Sequence, residues 1–336
     1  MLKISINGFG RIGRTVFKAG FERPNVEFVA INDLTEPKIL AHLLKYDSVF
    51  RTWPHEVSFD KNHLIIDGKK IPVVAEMEPT KLPWKQYNVD VVLECTGRFA
   101  DKTAASAHLT AGAKRVVISA PAKEVPTYLM GVNHKDYKKS EKIVNNASCT
   151  TNSIAPVAAI MEEAFGVKKA MMTTVHSVTA EQNIVDGLPP KMHPDMRRAR
   201  AALINMVPTS TGAAKATGEV VPTLKGKFDG LAIRVPTIDV SLSDFTFLLK
   251  KKTTAEEINA VFKKAVKSPR WKGILKASEE PLVSSDFIHE SCSSIVDLEM
   301  TRVVDGDLVK ILAWYDNEWG YSVRLMDLAE YIGSKK

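Results

Sequence analysis

Cysteine is scarce in this chain of 336 residues. There are three, Cys95, Cys149 and Cys292, an odd number, widely spaced and without a Cys-x-x-Cys pair. That argues against a disulfide framework or a zinc site, so no metal is expected, and it suits a reducing compartment. Long apolar runs are missing as well. None approaches the roughly 18 residues a membrane span needs, and even Val89 to Leu93 is interrupted by Asp90. The chain opens on Leu2-Lys3-Ile4-Ser5-Ile6, too short and too soon polar for a secretory leader, so a cytoplasmic protein without a membrane partner is expected. No repeat and no low-complexity linker interrupts it. A hydrophobic content of 45% and a charged content of 25% exclude collagen and disorder, and the length suggests two domains. Long basic blocks are absent too, although 46 Lys+Arg against 39 Asp+Glu leave a net charge of +7. A basic balance suits nucleic acid or an anionic cofactor and substrate, and composition does not choose. The doublets Lys138-Lys139 and Lys168-Lys169 and the triplet Lys250-Lys251-Lys252 are scattered and not interleaved with aromatics. Nucleic acid is therefore not expected as a primary partner.

What is present reads as two halves. Up to about residue 150, strand-length apolar runs (Leu2–Ile6, Val26–Ile31, Val89–Leu93, Arg115–Ser119) alternate with helical patterns at Arg11–Phe21 and Thr103–Ala111. That alternation predicts a mostly parallel sheet covered on both faces. Leu64–Ile66, Asp67-Gly68 and Lys70–Val74 form a hairpin pattern, because Asp-Gly supplies the positive φ of a type I′ turn. Beyond Cys149 come long strands at Met171–Thr179, Gly230–Val235 and Val240–Leu249. Thr301–Val304 and Leu308–Tyr315 follow, joined by Asp305-Gly306, with helices at Thr254–Val266 and Glu318–Tyr331. Consecutive strands with few helices predict a mostly antiparallel sheet packed on helices, an α+β arrangement.

Three groups of residues carry chemistry. Gly8-x-Gly10-x-x-Gly13 stands between the first strand and the first helix, and Asp33 follows Gly13 by 20 residues at the end of the second strand. Gly8 permits the tight turn, Gly10 lets a pyrophosphate approach the backbone, and Gly13 lets helix and strand pack closely. The helix start presents unpaired N–H groups to the pyrophosphate, and Asp33 can accept both ribose hydroxyls and repel a 2′-phosphate, favouring NAD. The second group surrounds Cys149 in Asn145-Asn146-Ala147-Ser148-Cys149-Thr150-Thr151-Asn152-Ser153. A helix starting there places its dipole on the sulfur and favours the thiolate. Cys95 and Cys292 read as small buried hydrophobes. His176 lies toward the end of the strand candidate Met171–Thr179; a structural hydrogen bond explains such a histidine as well as a pairing with Cys149, and the spacing leaves both open. The third group is basic and hydroxylic: Arg197-Arg198-Ala199-Arg200, Val207-Pro208-Thr209-Ser210-Thr211-Gly212 and Arg234. Arginine forks and small hydroxyls grip phosphate esters, but for a bare Arg-Arg-Ala-Arg run a solvated face is the simpler reading.

Asn7-Gly8-Phe9-Gly10-Arg11-Ile12-Gly13-Arg14, Asn146-Ala147-Ser148-Cys149-Thr150-Thr151-Asn152, Arg197-Arg198-Ala199-Arg200, Ser210-Thr211-Gly212-Ala213-Ala214-Lys215 and Trp314-Tyr315-Asp316-Asn317-Glu318 occur in one family order. The chain resembles the phosphorylating glyceraldehyde-3-phosphate dehydrogenases end to end. The resemblance implies a Rossmann NAD-binding domain over residues 1–148, joined by the C-terminal helix 318–336, and a catalytic domain over 149–317. It implies a homotetramer that oxidises glyceraldehyde 3-phosphate to 1,3-bisphosphoglycerate with NAD and inorganic phosphate, through a Cys149 thioester, in glycolysis or gluconeogenesis. Cys149 matches the nucleophile and His176 the base. Gly8, Gly10, Arg11, Ile12, Gly13, Asp33, Thr96, Gly97, Ser119 and Asn317 match cofactor contacts. Ser148, Thr150, Arg198, Thr211 and Gly212 match an inorganic-phosphate site, and Thr179, Arg198 and Arg234 the residues holding the substrate phosphate. Part of the positive charge, Arg11, Arg198 and Arg234, is thereby assigned to phosphate groups. Residues 181–200 resemble the family's S-shaped loop, which reaches a neighbouring subunit's cofactor.

Departures are visible. Ser153 stands where a second cysteine is common, Glu181 replaces an aspartate, and Gly187–Pro194 is longer than in many bacterial members, although Leu188-Pro189 resembles NAD-specific forms. Erythrose-4-phosphate dehydrogenase is the alternative, since it shares the nucleophile motif and His193-Pro194-Asp195-Met196-Arg197-Arg198 resembles its loop. Asp33 and Ser210-Thr211-Gly212-Ala213 favour the glyceraldehyde enzyme.

Overall fold

The computed structural model describes residues 1–189 and 195–335. The chain divides into two compact units, one of Met1–Met130, His134–Ala147 and Ser322–Lys336, the other of Gly131–Asn133 and Ser148–Tyr321.

The first unit runs β1 (Leu2–Asn7), α1 (Arg11–Phe21), β2 (Val26–Asn32), α2 (Pro37–Lys45), the short pair β3 (Tyr46–Asp47) and β4 (Arg51–Thr52), β5 (Val57–Phe59), β6 (His63–Ile66) and β7 (Lys69–Val74). It continues with β8 (Val91–Glu94), α3 (Lys102–Thr110), β9 (Arg115–Ile118) and β10 (Ile143–Asn145). Its main sheet has the order β10-β9-β8-β1-β2-β7-β6-β5. Pairing is parallel from β10 across to β7 and antiparallel through the β7-β6-β5 excursion. Asp67 (φ 49°) and Gly68 (φ 78°) both adopt the positive φ that a type I′ hairpin requires. The strand order reverses about β1, so the chain leaves β1 and β8 in opposite directions and opens a crevice at their C-terminal ends. The core beneath is apolar from several elements. Ile4, Ile6, Phe17 and Leu93 meet Leu325, Leu328, Ala329 and Ile332 of the last helix, all fully buried at helical spacing. Truncating Leu328 to alanine would remove about 2–5 kcal/mol of stability.

The second unit runs α4 (Cys149–Phe165), β11 (Val167–His176), β12 (Val207–Ser210), α5 (Ala213–Val220), β13 (Phe228–Arg234), β14 (Ser241–Leu249), α6 (Ala255–Val266), β15 (Leu275–Ser278), β16 (Ser294–Val304) and β17 (Leu308–Tyr315), ending in the first turn of α7 (Trp319–Ser334). Thr254 caps α6 through a reciprocal bond pair with Glu257, which fixes where that helix begins. The sheet order among the described residues is β12-β13-β11-β14-β17-β16-β15. It is mostly antiparallel, as the sequence predicts, but β11–β13 and β15–β16 pair in parallel. The parallel β11–β13 register matters most, because it sets His176 opposite Arg234. No helix of the described residues is long and apolar enough to cross a membrane.

Candidate active site

Cys149 is the first residue of α4, and Ser148 caps that helix by accepting the Thr151 N–H at 3.1 Å. The cap leaves the sulfur at the positive end of a 17-residue helix. Its Sγ lies 3.5 Å from Nε2 of His176, the last residue of β11. The other ring nitrogen, Nδ1, is 2.7 Å from the Ser177 carbonyl oxygen. A carbonyl accepts only, so Nδ1 carries the proton and Nε2 turns a lone pair toward the thiol. Arg234 Nη1 also lies 3.1 Å from Nδ1, but the carbonyl is closer. The guanidinium has its own acceptors in Ser177 O at 3.1 Å and Thr179 Oγ1 at 3.0 Å.

Burial pushes the Cys149 thiol up, to about 11, against the pull of the Arg234 charge. Burial, then Arg234, pushes His176 down, to about 3, although the Ser177 carbonyl works the other way. The thiolate expected from the helix dipole alone therefore meets an opposing desolvation. Cys149 keeps partial solvent exposure and faces the α4 N-terminus, and both weaken that push. The resting pair is thiol and neutral imidazole, and transfer of the proton to Nε2 creates both charges in contact.

In the first unit, a cavity of about 280 Å³ is lined by Asn7, Gly8, Gly10, Asn32, Asp33, Glu76, Cys95 and Thr96, among others. The three glycines act as their spacing predicts. Gly8 has φ 90°, and a Cβ there would meet Thr96 at 2.8 Å. A Cβ on Gly13 would meet the Gly8 carbonyl oxygen at 2.1 Å, whereas one on Gly10 would meet nothing within 4 Å. Gly10 is the N-cap of α1, with no side-chain cap and no acid in the first turn. Open space at Gly10 and helix-start N–H groups suit a pyrophosphate. Asp33 accepts the Phe9 N–H at 2.7 Å and the Thr35 N–H at 2.9 Å, which fix its carboxylate at the cavity wall.

Known proteins decide which family this is. The model described as "Glyceraldehyde 3-phosphate dehydrogenase, C-terminal domain" matches residues 148–317, and the one described as "Glyceraldehyde 3-phosphate dehydrogenase, NAD binding domain" matches residues 2–102. The chain is 55% identical over 337 residues to glyceraldehyde-3-phosphate dehydrogenase 1 of Bacillus cereus, covering 100% of this chain and 99% of that one. It is 53% identical over 336 residues to glyceraldehyde-3-phosphate dehydrogenase of Geobacillus stearothermophilus and to glyceraldehyde-3-phosphate dehydrogenase 1 of Bacillus subtilis, with 99% of each chain covered. The chain belongs to the glyceraldehyde 3-phosphate dehydrogenase family. It is an oxidoreductase whose cofactor is NAD.

Within this family member, the residues expected at the phosphate sites are brought together unevenly. Thr150 Oγ1 meets the Tyr315 hydroxyl at 3.0 Å beside Cys149, and Thr179 holds Arg234. Arg198 is 3% exposed; its Nε donates to Thr209 Oγ1 at 3.1 Å and its Nη1 pairs with Glu181 at 3.2 Å. The Arg-Arg-Ala-Arg run is therefore not one solvated face, since Arg198 turns inward while Arg197 and Arg200 stay outside. The Ser148 hydroxyl serves as a helix cap. Thr211 accepts the Ala213 N–H at 3.2 Å, and Gly212, the N-cap of α5, offers no side-chain cap of its own.

Of the expected cofactor residues, Gly8, Gly10, Asp33 and Thr96 line the cavity, and Arg11, Ile12, Gly13, Gly97 and Ser119 lie outside its lining. Asn317 belongs to the second unit, where its Oδ1 accepts from Ser177 Oγ and Ser241 Oγ, both at 2.8 Å. The Arg11 guanidinium is engaged by Asp47 at 2.7 Å and lies over Phe50, so its charge is bound within the unit. Cys95 and Cys292 are half-buried at the margins of apolar clusters rather than inside them, and Cys95 lines the cavity.

Residues outside the expected set complete the centre. Tyr315 bridges Thr150 and Thr174 and presents its ring edge-on to His176, 6.0 Å between centroids. Ser177 orients the imidazole, and Thr209 and Gln182 hold the arginines. Tyr315 had a sequence signal in Trp314–Glu318 and Thr209 one in the hydroxylic run Val207–Gly212; Thr174, Ser177 and Gln182 are ordinary polar residues that the sequence does not single out. Of the loop at 187–194 and the histidine-proline pair at 193–194, residues 190–194 lie outside the described residues.

Proposed function

We propose that the chain oxidises glyceraldehyde 3-phosphate to 1,3-bisphosphoglycerate, with Cys149 as nucleophile and His176 as base. The observation that carries this reading is the sulfur at a helix N-terminus, 3.5 Å from a nitrogen whose lone pair is fixed by the opposite side of its ring.

The thiol proton moves to Nε2, and the sulfur attacks the aldehyde carbon to give a thiohemiacetal. The Cys149 N–H and the imidazolium stabilise the developing oxyanion. The imidazolium returns its proton to that oxygen, completing the thiohemiacetal hydroxyl, and the neutral His176 takes the same proton back as the C–H bond is broken. Bound NAD supplies the acceptor for the departing hydride. The acyl group remains on sulfur as a thioester, which retains enough free energy for phosphate to displace Cys149 and form the acyl phosphate. Two anion sites are required, one for the substrate's own phosphate and one for the attacking phosphate. Arg234 with Thr179, and Arg198 with Thr150, Thr211, Gly212 and Ser148, are assigned to them. In the first unit, Gly8, Gly10, Asp33 and Thr96 fit the dinucleotide, Arg11, Ile12, Gly13, Gly97 and Ser119 are assigned to it with them, and Asn317 is assigned as a further cofactor contact.

Residues 1–148 with 318–336 are taken as the NAD-binding domain and 149–317 as the catalytic domain. A homotetramer is supported by apolar side chains exposed on the second sheet, Met171, Leu231, Met300 and Leu308. A cytoplasmic location in glycolysis or gluconeogenesis completes the reading.

The test is NADH formation from glyceraldehyde 3-phosphate, with and without phosphate or arsenate, and with NADP in parallel. Phosphate-dependent activity with NAD is expected. Activity without phosphate, or with erythrose 4-phosphate alone, would transfer the chain to the other branch.

A further inference from the structure

Asp239 is 1% exposed, and neither of its carboxylate oxygens completes a hydrogen bond among the described residues. It stands just before β14, beyond the end of the β14–β17 ladder, where Ser241 pairs with Tyr315. Asp316 follows Tyr315 at the same end, so two buried carboxyls share one space.

The two acids are unequal. Asp316 accepts three backbone N–H groups, from Glu318 at 2.9 Å and Trp319 at 2.6 Å on Oδ1 and from His289 at 2.7 Å on Oδ2. Burial pushes the Asp316 carboxyl up, to about 6, and the three converging donors hold it below its partner, so Asp316 is the member ionised at neutral pH. Asp239 has no such set. Burial, and then the charges of Asp316 and Glu318, push its carboxyl well up, to about 9.

We propose that Asp239 is the protonated member of this pair and donates its O–H to Asp316. One shared proton then fixes the turn 316–319 and, through it, Asn317. Asn317 Oδ1 receives the Ser177 hydroxyl, and the Ser177 carbonyl holds Nδ1 of His176. Asp239 touches no reacting atom and is a positioning residue, and its link to catalysis rests on the roles proposed above for His176 and Asn317. The other titratable groups around the pair are Glu318, His289 (its ring tilted 43° against Trp319, 3.8 Å between centroids) and, beyond Ser177, His176 and Arg234. The Arg234 cation is taken up by Ser177, Thr179 and Gln182. Ionisation of Asp239 would set three carboxylates against one another and loosen the turn.

The linkage has a definite sign. From roughly pH 4, where an unfolded aspartate ionises, to about pH 9, the folded chain holds a proton that the unfolded chain has released, so stability falls as pH rises. Asp239→Asn removes that dependence while retaining a donor. Its melting temperature should exceed the parent's by a margin that grows between about pH 5 and pH 9, and the infrared band of a protonated carboxyl should disappear. The parent's kcat should fall about three- to tenfold more steeply than the variant's above about pH 9. Asp239→Leu, lacking any donor, should lower kcat about tenfold at every pH. A melting margin that does not change with pH, or an unchanged infrared band, overturns the proton's placement. A growing margin beside superimposable kcat profiles overturns the positioning role. Absence of phosphate-dependent NADH formation by the parent sinks the functional reading alone, because the melting and infrared readouts need no turnover.

Discussion

In the first unit, residues 8–13 and Asp33 make a cradle almost wholly from backbone, and the glycines matter because of what a Cβ would strike. In the second, Cys149, His176, Arg198 and Arg234 come from one α-helix, a 3-10 turn (Met196–Ala199) and two strands, and the reacting and charged groups are all side chains. A backbone site is contiguous, because turn, helix start and neighbouring strand are set by local φ and ψ. A side-chain site is scattered, because no short segment can place a thiol, an imidazole and two guanidinium groups around one point. The comparison teaches why one glycine pattern is readable while a cysteine and a histidine 27 residues apart are not.

The contrast can be broken by substitution. Cys149→Ser should reduce turnover by roughly 10⁴-fold or more, as loss of a nucleophile does elsewhere. NAD affinity, measured by fluorescence titration, should stay near the parent's; near-parental turnover would remove the nucleophile assignment. Gly13→Ala should do the reverse. Its Cβ forces the α1 start away from the Gly8 carbonyl, so NAD affinity should fall about tenfold to a hundredfold, given overpacking of on the order of 1–3 kcal/mol. Alkylation of Cys149 by iodoacetamide, which reads the second unit, should be unaffected.

Within the second unit, Arg234→Leu removes a charge that holds the Cys149 thiol down, so alkylation near pH 8 should slow by about tenfold. In the parent, alkylation should continue to rise with pH toward about 11, since the thiol is raised and the thiolate accumulates only as pH climbs. A rate already flat at neutral pH would show that the helix dipole outweighs desolvation. The smallest effect is expected at Glu181, whose pairing with Arg198 draws off part of that cation. Glu181→Gln should lower the KM for phosphate by about two- to fivefold, consistent with a partly exposed ion pair. An unchanged KM would show that Arg198 does not face the attacking anion.

Legibility followed local determinism in the fold as well. The limits of α1, the Asp67-Gly68 hairpin and the span of α6 were readable, because glycine φ and helical periodicity act over a few residues. The first half of β16 was not. Ser294–Leu298 is buried throughout, so the alternation that reveals a strand appears only from Thr301 onward. β12 was hidden by Pro208, which its position at the sheet edge permits. Helix α2 begins at Pro37 behind Glu36, which offers no side-chain cap.

The sequence by itself determined the dinucleotide cradle, the helix that carries Cys149, the character of both sheets and, through its motifs, the family. Each depends on contacts between near neighbours or on words long enough to be specific. Only the tertiary structure decided that His176 faces Cys149, that Arg198 turns inward to Thr209 while Arg11 pairs with Asp47, and that Asp239 lies against Asp316. For His176, set opposite Arg234, and for Asp239 beside Asp316, the reason is register: the parallel β11–β13 pairing and the end of the β14–β17 ladder place them, and pairing between distant strands is fixed by the packed whole.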